Sequence, residues 1–258
     1  MRKAWEQALE QVRALPGHIG FYVKDTVTGE TISYQADLPV VAASVIKVPV
    51  MVEAFRQKEA GELDFAREVE IRPEDKLPSC GALTYLHDGI RVQIRDLVTL
   101  MIILSDNTAT NLLIDILGKD RIQKTISDMG LQGTVLRRKL FMAELSRQGI
   151  ENCVTAGDMG KLLEGLLEGR MVSPEASREM LGILLHQRLN GKMPFYLHSL
   201  DIDCAHKTGE DDGITHDVGI IYAKHPLIFC FVSEHTDVPK AERVIQDTAR
   251  LCALGAEV

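Results

Sequence analysis

The chain has 258 residues, of which 45% are hydrophobic and 26% charged, and its formal net charge is -8. This composition predicts a folded globular protein rather than a disordered chain. The negative charge argues against nucleic acid as a partner, because that binding needs Lys and Arg to neutralise phosphates, and apolar runs such as residues 97–104 are too short to span a bilayer. We therefore expect a small-molecule partner, no nucleic acid and no membrane segment, and the oligomeric state stays open.

Compartment and cofactors are indicated by the N-terminus and the cysteines. Residues 1–12 carry charges where a signal peptide needs an unbroken apolar stretch, so we expect a cytoplasmic location. A periplasmic or secreted location would require that a leader has been removed. No paired metal-type spacing joins the five scattered cysteines, so we expect free thiols, no metal and no cofactor. These cysteines are Cys80, Cys153, Cys204, Cys230 and Cys252.

The chain opens with an amphipathic helix followed by two strands. Trp5, Ala8, Leu9 and Val12 recur at helical spacing, and Pro16-Gly17 ends the pattern. Two β-rich runs then flank a turn-forming stretch at residues 25–29, which predicts an antiparallel pair. These runs are residues 19–24 and 30–34.

Helical patterns dominate the middle of the chain, and strand patterns return near its end. Helix starts are also indicated at Thr155 and at Ser173-Pro174, where a capping side chain precedes the helix. The predicted helices are residues 44–55, 96–104, 108–117 and 121–129, the later strands are 203–207, 217–222 and 227–233, and the last helix is 238–254.

Together these elements predict an α+β fold, in which an antiparallel five-stranded sheet is flanked by the terminal helices and joined to an all-helical lobe. We expect one catalytic domain, residues 1–258, of two lobes. The α/β lobe comprises residues 1–40 and 197–258, and the all-helical lobe comprises residues 41–196. Clefts that bind small molecules form at such junctions.

Ser44-Val-Ile-Lys47 is the first candidate site. Residues three apart are neighbours on a helix, so the Lys47 amine can reach the Ser44 hydroxyl and take its proton. A helix N-terminus also favours negative charge developing on a substrate oxygen. The pattern alone is weak, because it is expected about once by chance in a chain of this size.

Two rarer triplets, Ser105-Asp106-Asn107 and Lys207-Thr208-Gly209, follow in order. With them, the sequence resembles the superfamily of penicillin-binding proteins and class A β-lactamases along nearly its whole length. The resemblance implies the β-lactamase/transpeptidase-like fold and an acyl-enzyme mechanism. Ser44 would be the nucleophile, Lys47 would handle its proton, and Ser105 would pass a proton to the leaving nitrogen.

The resemblance also implies the residues that bind the substrate. Asn107 would orient it together with Lys47, Lys207 would hold its carboxylate, and Thr208 would add a hydroxyl. Gly209 would allow a close approach of the backbone, and the backbone N–H of Glu210 would complete the oxyanion hole. For Asp106 we expect a structural role, since its carboxylate can bind neighbouring backbone N–H groups.

The chain departs from the family pattern in the loop that should carry the glutamate for deacylation. The corresponding stretch is residues 137–147, and Phe141 falls at the expected position. Glu144 is the candidate base if the loop is remodelled. The alternative is an exposed helix residue that pairs with Arg147.

A second departure is the absence of the arginine that is common in the family after Lys207-Thr208-Gly209, where residues 217–219 are Asp-Val-Gly. Residues 210–217 are acidic, which suits either a substrate that carries an amine or a solvated turn. Three functions follow: a β-lactamase-like amide hydrolase, a D-amino-acid peptidase or esterase with the same chemistry, and a penicillin-binding or sensing module that is acylated without turnover.

Overall fold

A computed structural model describes residues 2–78 and 81–255, so the predicted free thiol of Cys80 lies outside the described residues. The other four cysteines form no disulfide in the described part of the chain. Among the described helices, none is both long enough and apolar enough to cross a bilayer.

A five-stranded antiparallel sheet joins the two ends of the chain, in the strand order β2-β1-β9-β8-β7. The terminal helices α1 and α9 pack against each other on one face of this sheet. The predicted α+β fold with terminal helices is therefore confirmed. The bounds are α1 Arg2–Arg13, β1 His18–Asp25, β2 Thr31–Tyr34, β7 Cys204–Asp211, β8 Ile214–Tyr222, β9 Pro226–Glu234 and α9 Val238–Gly255.

Both faces of the sheet are buried, which explains why its central strands read as nearly continuous apolar runs. In β9, Phe229 and Phe231 contact the terminal helices, whereas Ile228, Cys230 and Val232 join the core of the helical region. The alternation follows from the two-residue period of a strand. The sheet thus connects two hydrophobic clusters and fixes their relative position.

The middle of the chain is largely helical and packs on the opposite face of the sheet. The predicted caps are present, since Thr155 Oγ1 accepts a hydrogen bond from Asp158 N and Ser173 Oγ from Ala176 N. The helices are α2 Lys47–Glu59, α3 Ile94–Ile103, α4 Asn107–Leu117, α5 Lys119–Asp128, α6 Ala143–Arg147, α7 Ala156–Leu167 and α8 Pro174–Leu185.

This region also contains two short antiparallel pairs that the sequence did not predict, so it is not purely helical. The pairs are β3 (Val40–Val41) with β6 (Cys153–Val154), and β4 (Glu68–Glu70) with β5 (Arg91–Gln93). They are too short to produce a clear alternating pattern. The division into lobes at residues 40/41 and 196/197 stays a prediction.

Strand β7 is longer than predicted, and this difference shapes the site. It continues to Asp211 and pairs with β8 as far as Ile214, so the acidic stretch forms a hairpin closed by Asp212-Gly213. Gly213 has a φ of 66°, which glycine adopts without steric cost. Residues 208–210 therefore lie on the edge strand of the sheet rather than in a loop.

Candidate active site

Ser44 lies in a single 3-10 turn, Ala43–Ile46, between β3 and α2. Side chains three apart eclipse each other in a 3-10 helix, so Ser44 lies over Lys47, the first residue of α2. Ser44 Oγ and Lys47 Nζ are 2.9 Å apart, and Lys47 is fully buried. The predicted contact is present, although the α-helix itself begins after Ser44 rather than at it.

Lys47 Nζ also contacts the Ser105 motif. It lies 2.8 Å from Ser105 O, 2.9 Å from Ser105 Oγ and 2.8 Å from Asn107 Oδ1. Ser105 has a φ of 54° between α3 and α4, a conformation that is uncommon for a residue other than glycine. This backbone geometry turns both oxygens of Ser105 toward the amine.

Lys207 approaches Ser105 from β7. Its Nζ lies 3.1 Å from Ser105 Oγ and 2.8 Å from Thr208 O, and the side chain is fully buried. The Ser105 hydroxyl is therefore shared between the amines of Lys47 and Lys207. Residues from all three motifs meet at one point, although they are far apart in the sequence.

A cavity of about 660 Å³ opens over this cluster. The predicted site residues that line it are Ser44, Ser105, Asn107, Thr208 and Glu210. The hydroxyls of Ser44 and Ser105 thus lie between the cavity and the amines behind them. The volume is within the range of small-molecule sites.

Gly209 packs against a buried histidine on β8. A Cβ at Gly209 would lie 2.7 Å from His216 Cδ2, so a larger residue does not fit without moving the strands apart. His216 accepts a hydrogen bond from Ser233 N and binds Val41 O through Nε2, at 2.9 Å. Burial lowers the pKa of His216 to about 4, and its neutral ring therefore donates from Nε2.

Nearly the whole chain matches a known family. Residues 3–254 match the family described as the Beta-lactamase enzyme family. The chain belongs to this family. The structure of a β-lactamase from Sphaerobacter thermophilus is similar over 100% of this chain and 98% of that one, with 31% identity and a TM-score of 0.91. The resemblance inferred from the three motifs is confirmed.

Two curated relatives extend this comparison. Beta-lactamase VEB-1 from Pseudomonas aeruginosa is 24% identical over 93% of this chain and 86% of that protein. The beta-lactamase regulatory protein BlaB from Streptomyces cacaoi is 28% identical over 53% of this chain. That match spans 43% of the regulatory protein, which is less than half of its length.

Asp106 supports the site of this β-lactamase family member without facing the cavity. It caps α4 by accepting from Ala109 N, and its Oδ2 accepts from Ala82 N and Leu83 N at 2.7 and 2.9 Å. A Cβ at Gly81 would lie 2.5 Å from the same oxygen, so the segment passes close to Asp106. The structural role expected for this carboxylate agrees with these contacts.

Glu144 does not join the cluster. It lies on the short helix α6 with 70% of its side chain exposed, and it forms an ion pair with Arg147 at 2.9 Å. It is not among the residues that line the cavity. This placement matches the alternative of an exposed helix residue, and the assignment of Glu144 as the deacylation base stays a prediction that the geometry does not favour.

The same loop brings a different carboxylate to the cavity, and sequence reasoning missed it. Glu151 lines the cavity, forms an ion pair with Arg138 and accepts a hydrogen bond from Ser146 Oγ. Arg138 also donates to Ile150 O at 3.0 Å, which ties the two ends of the loop together. The opposite charges of Arg138 and Glu151, at the two ends of the loop, are the sequence feature that could have indicated this contact.

Lys192 is a second residue that the motifs did not indicate. Its buried amine lies 3.1 Å from Gly209 O and 3.0 Å from Glu210 Oε1. Lys192 therefore holds β7 through the carbonyl oxygen of Gly209. The next residue on the strand, Glu210, lines the cavity. Asp217, at the start of the stretch without the expected arginine, is fully buried and bonds His206 at 2.8 Å.

Proposed function

We propose that this chain is a serine hydrolase that opens β-lactam amides through an acyl-enzyme on Ser44. The observation that carries the proposal is the position of Lys47 Nζ, within 2.9 Å of Ser44 Oγ, Ser105 O, Ser105 Oγ and Asn107 Oδ1. A neutral amine has two N–H donors and one lone pair. The donors suit the carbonyl oxygens of Ser105 and Asn107, and the lone pair suits the Ser44 hydroxyl.

Acylation follows from this arrangement. Ser44 Oγ attacks the lactam carbonyl carbon as its proton passes to Lys47, and the C–N bond of the ring then breaks. The proton continues through the Ser105 hydroxyl, 2.9 Å from Lys47 Nζ, to the leaving nitrogen. Backbone N–H groups of Ser44 and Glu210 stabilise the oxyanion, and Lys207 and Thr208 bind the substrate carboxylate.

Slow deacylation is a second candidate, favoured by the placement of Glu144 and Glu151. Glu144 is exposed and paired with Arg147, and the loop carboxylate that does line the cavity is held by Arg138. Neither arrangement leaves an obvious base for the hydrolytic water. A protein that acylates rapidly and releases slowly would then act as a β-lactam-binding or sensing module.

The test combines nitrocefin turnover with intact-protein mass spectrometry after mixing with penicillin G. Wild type should gain the mass of one acyl group, and Ser44→Ala should gain none. Turnover should fall by roughly 10⁴-fold or more, because removing a nucleophile leaves only binding and oxyanion contributions. Ser127→Ala, on the exposed face of α5, is the matched control and should behave as wild type.

The time course separates the candidates. An adduct that decays during turnover supports hydrolysis, whereas an adduct that persists without steady-state product supports the binding module. Cleavage of D-amino-acid peptides or short esters without any reaction with lactams would select the peptidase or esterase instead. A lactam adduct that forms equally on wild type and on Ser44→Ala would show that Ser44 is not the nucleophile and would overturn all three functions.

A further inference from the structure

Two histidines and a glutamate converge at the end of β9 that is remote from the β8–β9 turn. His18 and Glu234 are direct partners in the β1–β9 ladder, and His235 follows Glu234. The ligand atoms of these three side chains all lie within 4.8 Å of one another. From this geometry we propose that His18, Glu234 and His235 bind a divalent transition-metal ion of the zinc type.

The ligand set has the right chemistry. Imidazole nitrogen and carboxylate oxygen are common zinc ligands, and two histidines with one glutamate leave a fourth position for water. Tetrahedral ligands about 2.1 Å from zinc lie roughly 3.4 Å apart. His18 Nδ1 is already 2.9 Å from Glu234 Oε1, so small side-chain rotations admit the ion between them.

The backbone holds His235 where it can contribute. Its φ is 54°. The next residue, Thr236, donates two hydrogen bonds, from N to Gly213 O at 3.1 Å and from Oγ1 to Pro16 O at 2.8 Å. This turn brings the His235 ring to 5.7 Å from the His18 ring, centroid to centroid, at an interplanar angle of 76°. A left-handed conformation at a residue other than glycine is maintained by its surroundings.

The carboxylate is oriented from the other side. Glu234 Oε2 accepts from Val41 N at 2.9 Å, which directs Oε1 toward His18. An outer hydrogen bond of this kind fixes the geometry of a metal ligand. The glutamate side chain is 15% exposed and that of His18 is 57% exposed, so one side is held in the protein and the other is open to an incoming ion.

The proposed metal site is connected to the catalytic cavity by Val41, whose N–H binds Glu234. Val41 belongs to β3, lines the cavity and receives a hydrogen bond from His216 through its carbonyl oxygen. Metal binding would therefore brace the strand that leads into Ser44. The proposal does not depend on the chemistry of Ser44, since it requires only that the three side chains bind an ion.

Calorimetric titration with Zn²⁺ and visible absorption with Co²⁺ test the site in the full chain after EDTA treatment. Wild type should bind one ion, give a tetrahedral cobalt spectrum and melt at a higher temperature with Zn²⁺. Glu234→Gln and His235→Asn should weaken the affinity for Zn²⁺ by roughly 100-fold or more. This loss exceeds the one expected when a residue that only hydrogen-bonds to a metal ligand is removed. Gln can still accept from Val41 N, and Asn tolerates the left-handed backbone.

His87→Asn is the matched control, because it removes an exposed histidine elsewhere and should leave affinity unchanged. Melting curves without metal establish that each variant is folded, and His18→Asn replaces any variant that is not. The proposal is overturned if wild type shows no saturable binding, or if Glu234→Gln and His235→Asn bind as wild type does. A cobalt–thiolate charge-transfer band would place the ion at a cysteine and also overturn it.

Discussion

Asp106 shows how a residue between two site residues contributes by holding backbone. Its carboxylate accepts from the N–H groups of Ala82, Leu83 and Ala109 while almost wholly buried. Asp106→Ala should lower the free energy of unfolding by about 3 kcal/mol, because it removes a helix cap and leaves buried donors unpaired. Urea unfolding followed by circular dichroism measures this loss.

Asp96→Ala is the control for this prediction. Asp96 lies in the first turn of α3, is exposed, and its carboxylate accepts from Gln93 N at 2.9 Å. Its loss should cost about 1 kcal/mol or less, since water replaces an exposed hydrogen bond. Equal losses in the two variants would contradict the anchoring role of Asp106.

At the scale of the element, strand β7 depends on the absence of a side chain at Gly209. Gly209→Ala would place a Cβ 2.7 Å from His216 Cδ2, so β7 must move away from β8 or His216 must leave its bonds to Val41 and Ser233. Stability should fall by about 1–3 kcal/mol, as in other overpacked sites. The lactam acylation rate should fall as well, because Thr208 and Glu210 border the cavity on this strand.

A second glycine provides a control of opposite sign. Gly182 lies within α8, and a Cβ there would meet no atom within 4 Å. Gly182→Ala should therefore raise stability by about 0.5–1 kcal/mol through helix propensity and leave acylation unchanged. Thermal melts and acylation kinetics of the two variants measure both effects, and a stable, fully active Gly209→Ala would refute the constraint.

The elements also show which features a sequence can reveal. The strands β1, β2 and β9, the part of β8 from residue 217 to 222, and the caps at Thr155 and Ser173 depend on local periodicity or on one hydrogen bond, so the sequence predicted them. The last four residues of β7 are polar or glycine, and they form a strand because β8 pairs with them. Local propensity contains no information about such pairing.

The site divides in the same way. Ser44, Lys47, Ser105 and Lys207 were predicted because three motifs occur in order, and their side chains meet in the structure. The loop was harder, since whether Glu144 or Glu151 faces the cavity depends on how residues 138–151 fold over it. In the structure Arg138 contacts Glu151 and Ile150 O, and such contacts between residues distant in the sequence are not encoded in local patterns.

At the scale of the whole molecule, His216 connects segments of the chain that are far apart in the sequence. It lies on β8, bonds Val41 O of β3 and Ser233 N of β9, and fills the space against Gly209 of β7. The ring is fully buried and neutral, and burial lowers its pKa to about 4. Protonating it would place a charge in the centre of the fold.

Acid should therefore destabilise the protein through His216. Well above pH 6.5 the ring is neutral in both states, and its full contribution to stability is present. As pH falls toward 4, the unfolded chain takes up a proton that the native ring does not, so stability decreases by about 3 kcal/mol, and below pH 4 the loss levels off.

In His216→Gln, which can donate to Val41 O and accept from Ser233 N, urea unfolding between pH 7 and 4 should show a correspondingly smaller loss of stability. His87→Gln, at an exposed histidine, should keep the wild-type dependence of the free energy of unfolding on pH. The same dependence in all three proteins would show that His216 does not control acid stability.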